Sequence, residues 1–482
     1  MTYFFETYGC QMNSAESAAL ELVCRERGWT AAAGGEGADL VLLNTCSVRQ
    51  TAEKRVLGRI ALYAALKKKR PRLCLVVAGC MAERLGEGLK ERCAAVDYVM
   101  GTSSRSVFPL ILEALEKGGE GAAFPPLPQG GERPVFSFSS SHLEEGHFRS
   151  FVPIMHGCNN FCSYCIVPYV RGPEISRDPV SILAEIRILA ERGVREITLL
   201  GQNVNSYRWE GPPPGSASPK AAAGPEDGAA GDAAAAPRHG GASFAGSLDF
   251  PGLLELVAGA VAGGPIRWVR FLSANPKDLS PKTMRVMAEH TVFCRHLHLP
   301  VQHGSNAILA AMNRRYTREQ YLDLVGELRA LMPGISLSTD ILVGFPGETG
   351  EDLEATLRLM EEVKFLYAYM YHYNPREGTS AYDLPGRIGE ELKRERLGRV
   401  IALQKKHSLE LLRGRLGSRD RVLVEGISRK NADELITRTE RDEMVVAPGK
   451  ASFIGNFAEL TLSALRGNTF RAKEMCVCHG GL

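Results

Sequence analysis

The run from His156 to Cys165, HGCNNFCSYC, carries three cysteines, Cys158, Cys162 and Cys165, at the spacing Cys-x3-Cys-x2-Cys. Three thiolates this close on one loop suit a small iron-sulfur cluster: each can hold a different iron, and a fourth iron is left without a protein ligand, open to a small molecule. A structural zinc site takes four ligands, usually as two close pairs, and no fourth cysteine or pair of histidines stands near this trio. A chance set of unpaired loop cysteines is the bland alternative. Phe151-Val152-Pro153-Ile154 reads as a short buried strand, Gly157 permits a turn, and Ile166-Val167-Pro168 carries the chain away, so the motif sits on a loop that follows a strand.

A second set of cysteines is scattered in sequence. The strand-like runs Tyr3-Phe4-Phe5, Leu40-Val41-Leu42-Leu43 and Leu75-Val76-Val77-Ala78 each end within a few residues of a cysteine, namely Cys10, Cys46 and Cys80, and helical segments separate them. In an open parallel α/β sheet the residues beyond the carboxyl ends of the strands gather along one crevice, so these three thiols are expected to meet. The alternative is ordinary burial, which suits Cys24 and Cys93 in helical patterns and Cys74 within a strand.

The elements that must position these groups follow from the wider pattern. The chain has 482 residues, 44% of them hydrophobic, with a net charge of +3, enough to bury cores in two to four domains. The start, Met-Thr-Tyr-Phe-Phe-Glu, lacks the basic and apolar regions of a signal peptide, and no apolar run approaches a membrane span. Twelve cysteines then point to a reducing, cytoplasmic setting and metal ligation rather than disulfides. After the cysteine loop, Val180 to Arg192 has helical periodicity and Glu196 to Leu200 is a strand, ending at Gly201-Gln202-Asn203. Strands near Val269-Arg270-Phe271, Leu297-His298-Leu299 and Thr339-Asp340-Ile341-Leu342 alternate with helices around Met284, Tyr321 to Leu331 and Leu353 to Val363, which predicts a partial parallel βα barrel with ligands at its carboxyl strand ends. Residues 209 to 247, rich in Ala, Gly and Pro, read as a disordered surface insertion. Beyond Gly417, short runs at Arg421 to Glu425, Glu434 to Thr439, Met444 to Val446 and Phe457 to Leu462 predict a small all-β barrel. The helix leading into it, 387 to 415, carries nine Lys/Arg against four Asp/Glu, a basic stripe suited to nucleic acid or simply a solvated face. His296 and His298 read as satisfied core histidines, the glycines of Gly344-Phe345-Pro346-Gly347 as turn formers, and the terminal Cys476-Val477-Cys478-His479 as a loose tail without metal.

The Cys-x3-Cys-x2-Cys run, with aromatic Tyr164 between its last two cysteines, resembles the signature of the radical S-adenosylmethionine (SAM) superfamily. The segments ETYGCQMN, NTCSVRQTAEKRV, GCMAER, MHGCNNFCSYCIVPYVRG, LLGQNVNSY and STDILVGFPGETGEDLEATL resemble the methylthiotransferase family over nearly the whole chain, and VLVEGISRKNADELITRTERDEMVV resembles the RNA-binding TRAM domain. The resemblance implies two 4Fe-4S clusters, one on Cys158, Cys162 and Cys165 that binds and cleaves SAM, and an auxiliary one on Cys10, Cys46 and Cys80 implicated in sulfur supply. It also implies SAM contacts from Tyr164, Gly201, Gln202 and Asn203. The parts would be an α/β domain over 1–120, a radical SAM core over 144–411 and a TRAM module over 414–477.

The QMN after Cys10 and the NNFCSYCIVPYVRG run point to the tRNA-modifying branch of the family. The implied reaction is methylthiolation of carbon 2 of N(6)-dimethylallyladenosine at position 37 of the tRNA anticodon stem-loop. A flavodoxin or ferredoxin would supply electrons to a monomeric enzyme that needs no membrane. Two other substrates share the cysteines, threonylcarbamoyladenosine in tRNA and a ribosomal protein, and a non-enzymatic iron-sulfur electron carrier that binds RNA is a further class, against which the barrel pattern counts. Gly172-Pro173-Glu174-Ile175 and Ser273-Ala274-Asn275-Pro276 depart from the family pattern, where a more basic run and Thr-Ser-His-Pro are typical.

Overall fold

The structure, a computed structural model, describes residues 1–47, 50–117, 147–211 and 246–477. The alternating apolar and helical runs at the start build one parallel sheet in the order Thr30–Ala31, Thr2–Thr7, Leu40–Thr45, Cys74–Gly79, Tyr98–Met100. Leu40–Thr45 and Cys74–Gly79 are buried along their whole length, because helices cover both faces of the sheet, and so they read as continuous rather than alternating apolar runs. Register pairs Thr7 with Asn44 and Thr45 with Gly79, which brings the carboxyl ends of the three cysteine-bearing strands level and side by side.

The middle of the chain forms two parallel three-stranded ladders. Arg149–Pro153 and Trp268–Phe271 flank Glu196–Leu200 in one, and His296–His298 and Tyr367–His372 flank Ser336–Val343 in the other. A parallel bridge from Val269 to Phe293 joins the ladders, which gives the partial barrel that the sequence predicts. Helices that include Pro179–Glu191, Phe250–Val261, Pro281–Glu289, Arg318–Leu331 and Gly350–Val363 close over one core through Ile186, Phe250, Met284, Tyr321 and Leu359. Their starts are fixed locally: Asp178, Asp249, Ser280, Thr317 and Thr349 each accept a backbone N–H of the first turn. The strand Tyr367–His372 is an addition to the sequence expectation, since Tyr-Ala-Tyr-Met-Tyr-His carries no strong apolar run. Most of the 209–247 insertion lies outside the described residues; its ends are clamped by an antiparallel pair, Arg208–Trp209 with Leu248–Asp249.

The carboxyl-terminal strands form one mixed, mostly antiparallel sheet in the order Ala464–Arg466, Thr469–Arg471, Met444–Pro448, Asn431–Thr439, Arg419–Ser428, Phe457–Thr461, Met475–Val477. Its apolar side chains, among them Val422, Leu435, Val445, Leu460 and Phe470, share one core with Leu366 and Leu412. Cys476 lies in the last strand opposite Glu459 rather than on a loose tail, while Cys478 and His479 fall outside the described residues. No helix among the described residues is long and apolar enough to cross a membrane.

Candidate functional site

The cysteine loop begins where Met155–His156 pairs with Ile175–Ser176. Gly157 has φ +81°, and a Cβ there would stand 1.9 Å from the carbonyl oxygen of Pro173, so only glycine fits. Its N–H donates to Gln202 Oε1 at 2.6 Å, and Cys158 N–H donates to the Gly172 carbonyl at 3.1 Å. The far side of the loop is gripped by the segment that ends at Arg314. Ser163 donates from its N–H to the Met312 carbonyl at 3.0 Å and from its hydroxyl to the Ala311 carbonyl at 2.8 Å, while Asn313 Nδ2 donates to the Phe161 carbonyl at 2.9 Å. Arg314 Nη1 donates to Cys162 Sγ at 3.4 Å, and Asn160 Nδ2 to Cys158 Sγ at 3.5 Å. Cys158 and Cys162 are buried and Cys165 half-buried, with Tyr164 packed among Ile308, Met312, Phe345 and Tyr373.

The strand-end cysteines lie just beyond three neighbouring strands, Cys10 after Thr2–Thr7, Cys46 after Leu40–Thr45 and Cys80 after Cys74–Gly79. Gly9, at φ +126°, lies so close to Cys46 that a Cβ would stand 2.7 Å from its Cβ and 3.2 Å from its Sγ. Cys80 opens the helix Cys80–Leu85 straight after its strand, and the Cys10 and Cys46 thiols both act on its ionisation. Asn13, fully buried one turn after Cys10, ties the loops together: its Nδ2 donates to the Tyr8 carbonyl at 2.8 Å and the Thr45 carbonyl at 2.9 Å. Gly79, at φ +90°, permits the close approach of Asn44 and Thr45.

The two sites face each other across one short helix. Val167–Arg171 leaves the first cysteine loop, and its Val170, with Ile166, packs directly on Cys80. Arg171 reaches into the amino-terminal unit, donating to Glu16 Oε1 at 2.7 Å and to Asn13 Oδ1 at 3.0 Å. Thr102 Oγ1 donates to the Val170 carbonyl at 2.5 Å. A cavity of about 120 Å³ beside Ile166, walled by Glu53, Arg84 and Asn374 to Glu377, opens along the same seam. Arg376 there lies within electrostatic reach of both Cys46 and Cys165.

This donor set suits clusters better than single ions. Among the described residues no three His, Cys, Asp or Glu side chains converge as ligands of one metal ion, and thiolates that bind different irons of a cluster need not converge. Burial pushes the Cys165 thiol up to about 12 and the Cys80 thiol up to about 11, so the thiolate forms need a cation that the iron would supply. Gly201 is required by packing, since a Cβ would meet Met155 Cγ at 2.4 Å. Gln202 holds the cysteine loop, and Asn203 donates to Asp278 Oδ2 at 2.7 Å, so the turn expected to contact SAM is also a buttress of the loop. His296 and His298 both bond Ser338 Oγ at 2.9 Å, in keeping with satisfied core histidines. The sequence left Asn13, Glu16, Arg171, Asn313, Arg314 and Arg376 without roles; the one available signal was the nearness of Asn13 and Arg171 to cysteine motifs.

The Radical SAM superfamily profile matches residues 152–360, the uncharacterized protein family UPF0004 residues 2–101, and the TRAM domain residues 414–473. The tRNA-2-methylthio-N(6)-dimethylallyladenosine synthase of Treponema pallidum subsp. pallidum is 48% identical, with 98% of each chain covered. Proteins of the same name from Treponema denticola, at 48%, and Bacteroides thetaiotaomicron, at 40%, each cover 98% of this chain and 99% and 96% of their own. Among solved structures, the radical SAM methyltransferase TsrM from Kitasatospora setae matches with a TM-score of 0.56 over 79% of this chain and 77% of its own; at 15% identity the likeness is one of fold.

Proposed function

Because the chain belongs to the tRNA-2-methylthio-N(6)-dimethylallyladenosine synthase family, we propose that it transfers a methylthio group to carbon 2 of N(6)-dimethylallyladenosine at position 37 of tRNA, beside the anticodon. The observation that carries the reading is the packing of Cys80, at a strand end of the amino-terminal sheet, on Ile166 and Val170 of the segment that leaves the one-loop cysteine run. Bound 4Fe-4S clusters and SAM supply the reductive opening of a sulfonium bond, a carbon radical able to attack an unactivated C–H, and sulfur for methylation by a second SAM. That chemistry suits the target: carbon 2 of the adenine has no acidic proton for a general base.

The chain's residues divide the work. Cys158, Cys162 and Cys165 would hold the SAM-cleaving cluster, and Cys10, Cys46 and Cys80 would hold the other. Gln202 and the Ala311–Arg314 segment hold the loop, and the partly buried Tyr164 ring packs against Ile308, Met312, Phe345 and Tyr373 beneath it. Phe161 and Tyr169, exposed and edge to face at 6.0 Å, offer aromatic surface at the rim for an unstacked base. Residues 1–120 carry the auxiliary site, 144–411 the radical site, and the TRAM module at 414–477 grips tRNA. The enzyme acts as a monomer in the cytoplasm, with a flavodoxin or ferredoxin as electron donor.

Mass spectrometry of tRNA nucleosides from strains with and without the gene tests this proposal. The expected result is loss of 2-methylthio-N(6)-dimethylallyladenosine and accumulation of the precursor lacking the methylthio group. An unchanged dimethylallyl pool with a lost methylthio group on threonylcarbamoyladenosine, or on a ribosomal protein, would assign a sister activity. Purified protein that forms no 5'-deoxyadenosine from SAM would instead be an electron carrier.

A further inference from the structure

Five arginines are buried in the described residues: Arg171, Arg177, Arg270, Arg314 and Arg396. A guanidinium keeps its proton under all ordinary conditions, so a buried one needs a counter-charge. Four have one. Arg171 faces Glu16 at 2.7 Å, Arg270 faces Glu196 at 3.1 Å, Arg396 faces Glu348 at 3.0 Å, and Arg177 pairs closely with Glu185. Arg314 is the exception. Its Nε donates to the Tyr316 hydroxyl at 2.9 Å, its Nη2 to the Pro300 carbonyl at 2.9 Å, and its Nη1 to Cys162 Sγ at 3.4 Å; no acceptor among the described residues is a carboxylate.

The backbone is bent to deliver this contact. Asn313 and Arg315, on either side, both sit in the left-handed region at φ +56° and +58°, a conformation that costs a non-glycine residue about 1 kcal/mol or more. The same turn holds the cysteine loop through Asn313 and the carbonyls of Ala311 and Met312. A strained turn that docks the loop and aims an unpaired cation at one of its sulfurs is arranged around negative charge that arrives with the thiolates.

We propose that Arg314 is the counter-ion of the cluster on Cys158, Cys162 and Cys165, donating a hydrogen bond to the Cys162 sulfur and thereby raising that cluster's reduction potential. The proposal rests on the assignment of that trio to a cluster. Three thiolates around a 4Fe-4S core leave a net negative charge, and one-electron reduction adds another. A fixed positive charge and an N–H···S bond therefore favour the reduced state more than the oxidised one, and both are among the known levers on cluster potential. Arg314 acts through Cys162 and is a positioning residue rather than a catalytic one.

Redox titration of the full-length, anaerobically reconstituted protein, followed by electron paramagnetic resonance, tests this. The relevant cluster is the one whose reduced signal changes on adding SAM. In Arg314→Met its reduced-to-oxidised ratio at a fixed potential should fall about tenfold, which is about 59 mV downward for one electron. Arg314→Lys, which keeps the charge and loses the planar fork, should fall between Met and wild type. A second measurement does not depend on the variants folding: in wild-type protein labelled with ¹⁵N-arginine, hyperfine spectroscopy of the SAM-responsive signal should show nitrogen coupling from the guanidinium. A SAM-responsive cluster without ¹⁵N coupling, or with an unchanged potential in Arg314→Met, overturns the role of Arg314. Absence of any SAM-responsive cluster overturns the assignment on which it rests.

Discussion

Each cysteine trio depends on residues that never touch metal. Gly9 has no room for a side chain against Cys46, whereas Gly28, also at positive φ, has open space around its Cα. Gly9→Ala should therefore displace Cys46 and lose the auxiliary cluster, seen as a fall of about half in bound iron, while the loop trio keeps its share. Gly28→Ala should cost only about 1 kcal/mol of stability and keep its iron; iron analysis with thermal melting of both variants checks the contrast. The placement of the six cysteines, on one loop and just beyond three strand ends, was legible because spacing and position after a strand run are local facts. Arg314 and Arg171 were not, because their partners lie 152 and 158 residues away in sequence, a distance at which spacing carries no signal.

At the scale of elements, the parallel sheets were legible where burial on both faces makes a strand a continuous apolar run, as in Leu40–Thr45. Tyr367–His372 escaped because it is only partly buried and alternates tyrosines with smaller or polar residues. The basic helix needs a finer reading than its charge count. Within Glu390–Arg413, Lys393 is buried and Arg396 is buried against Glu348, so part of the stripe is spent inside the molecule, while Arg399 pairs with Glu354 at the surface and Lys405 and Lys406 remain exposed. If the exposed lysines meet phosphates, Lys405→Ala should lower the salt dependence of tRNA binding by about one unit of log-log slope. Arg396→Ala should leave the slope unchanged and instead destabilise the fold by about 3 kcal/mol, because the buried Glu348 would lose its arginine and keep only the Phe345 N–H at 3.1 Å and His303 at 3.6 Å. Binding measured across a salt series, with thermal melting, separates the two; equal slopes for wild type and Lys405→Ala would remove that lysine from the interface.

At the scale of the molecule, the carboxyl-terminal sheet seals the amino ends of the barrel strands. Glu196 joins Arg270 at 3.1 Å and Arg438 at 2.9 Å, Trp268 stacks edge to face on Phe457 at 4.9 Å, and Tyr367 donates to Asp442 at 2.5 Å. Truncation near Arg413 would open this seam as well as remove the proposed RNA contact. Burial drives His296, beside Tyr367 and Ser338, down to about 3, with the charge of Asp442 opposing and those of Arg270, His298 and Arg438 assisting. A histidine with a lowered folded value takes up its proton more readily when unfolded, so its contribution is present above pH 6.5 and is lost as pH falls towards 3. Melting should therefore show stability declining below about pH 6.5 by at most about 1.4 kcal/mol per pH unit from this group, and His296→Asn should flatten that limb. The central claim, that two separate cysteine trios serve one reaction across Val167–Arg171, is tested most directly by replacing Cys10, Cys46 and Cys80 together with alanine and following iron by Mössbauer spectroscopy alongside both products. The account predicts about half the iron, retained conversion of SAM to 5'-deoxyadenosine, and no methylthiolated tRNA. Full iron content with methylthiolated tRNA still formed would contradict it.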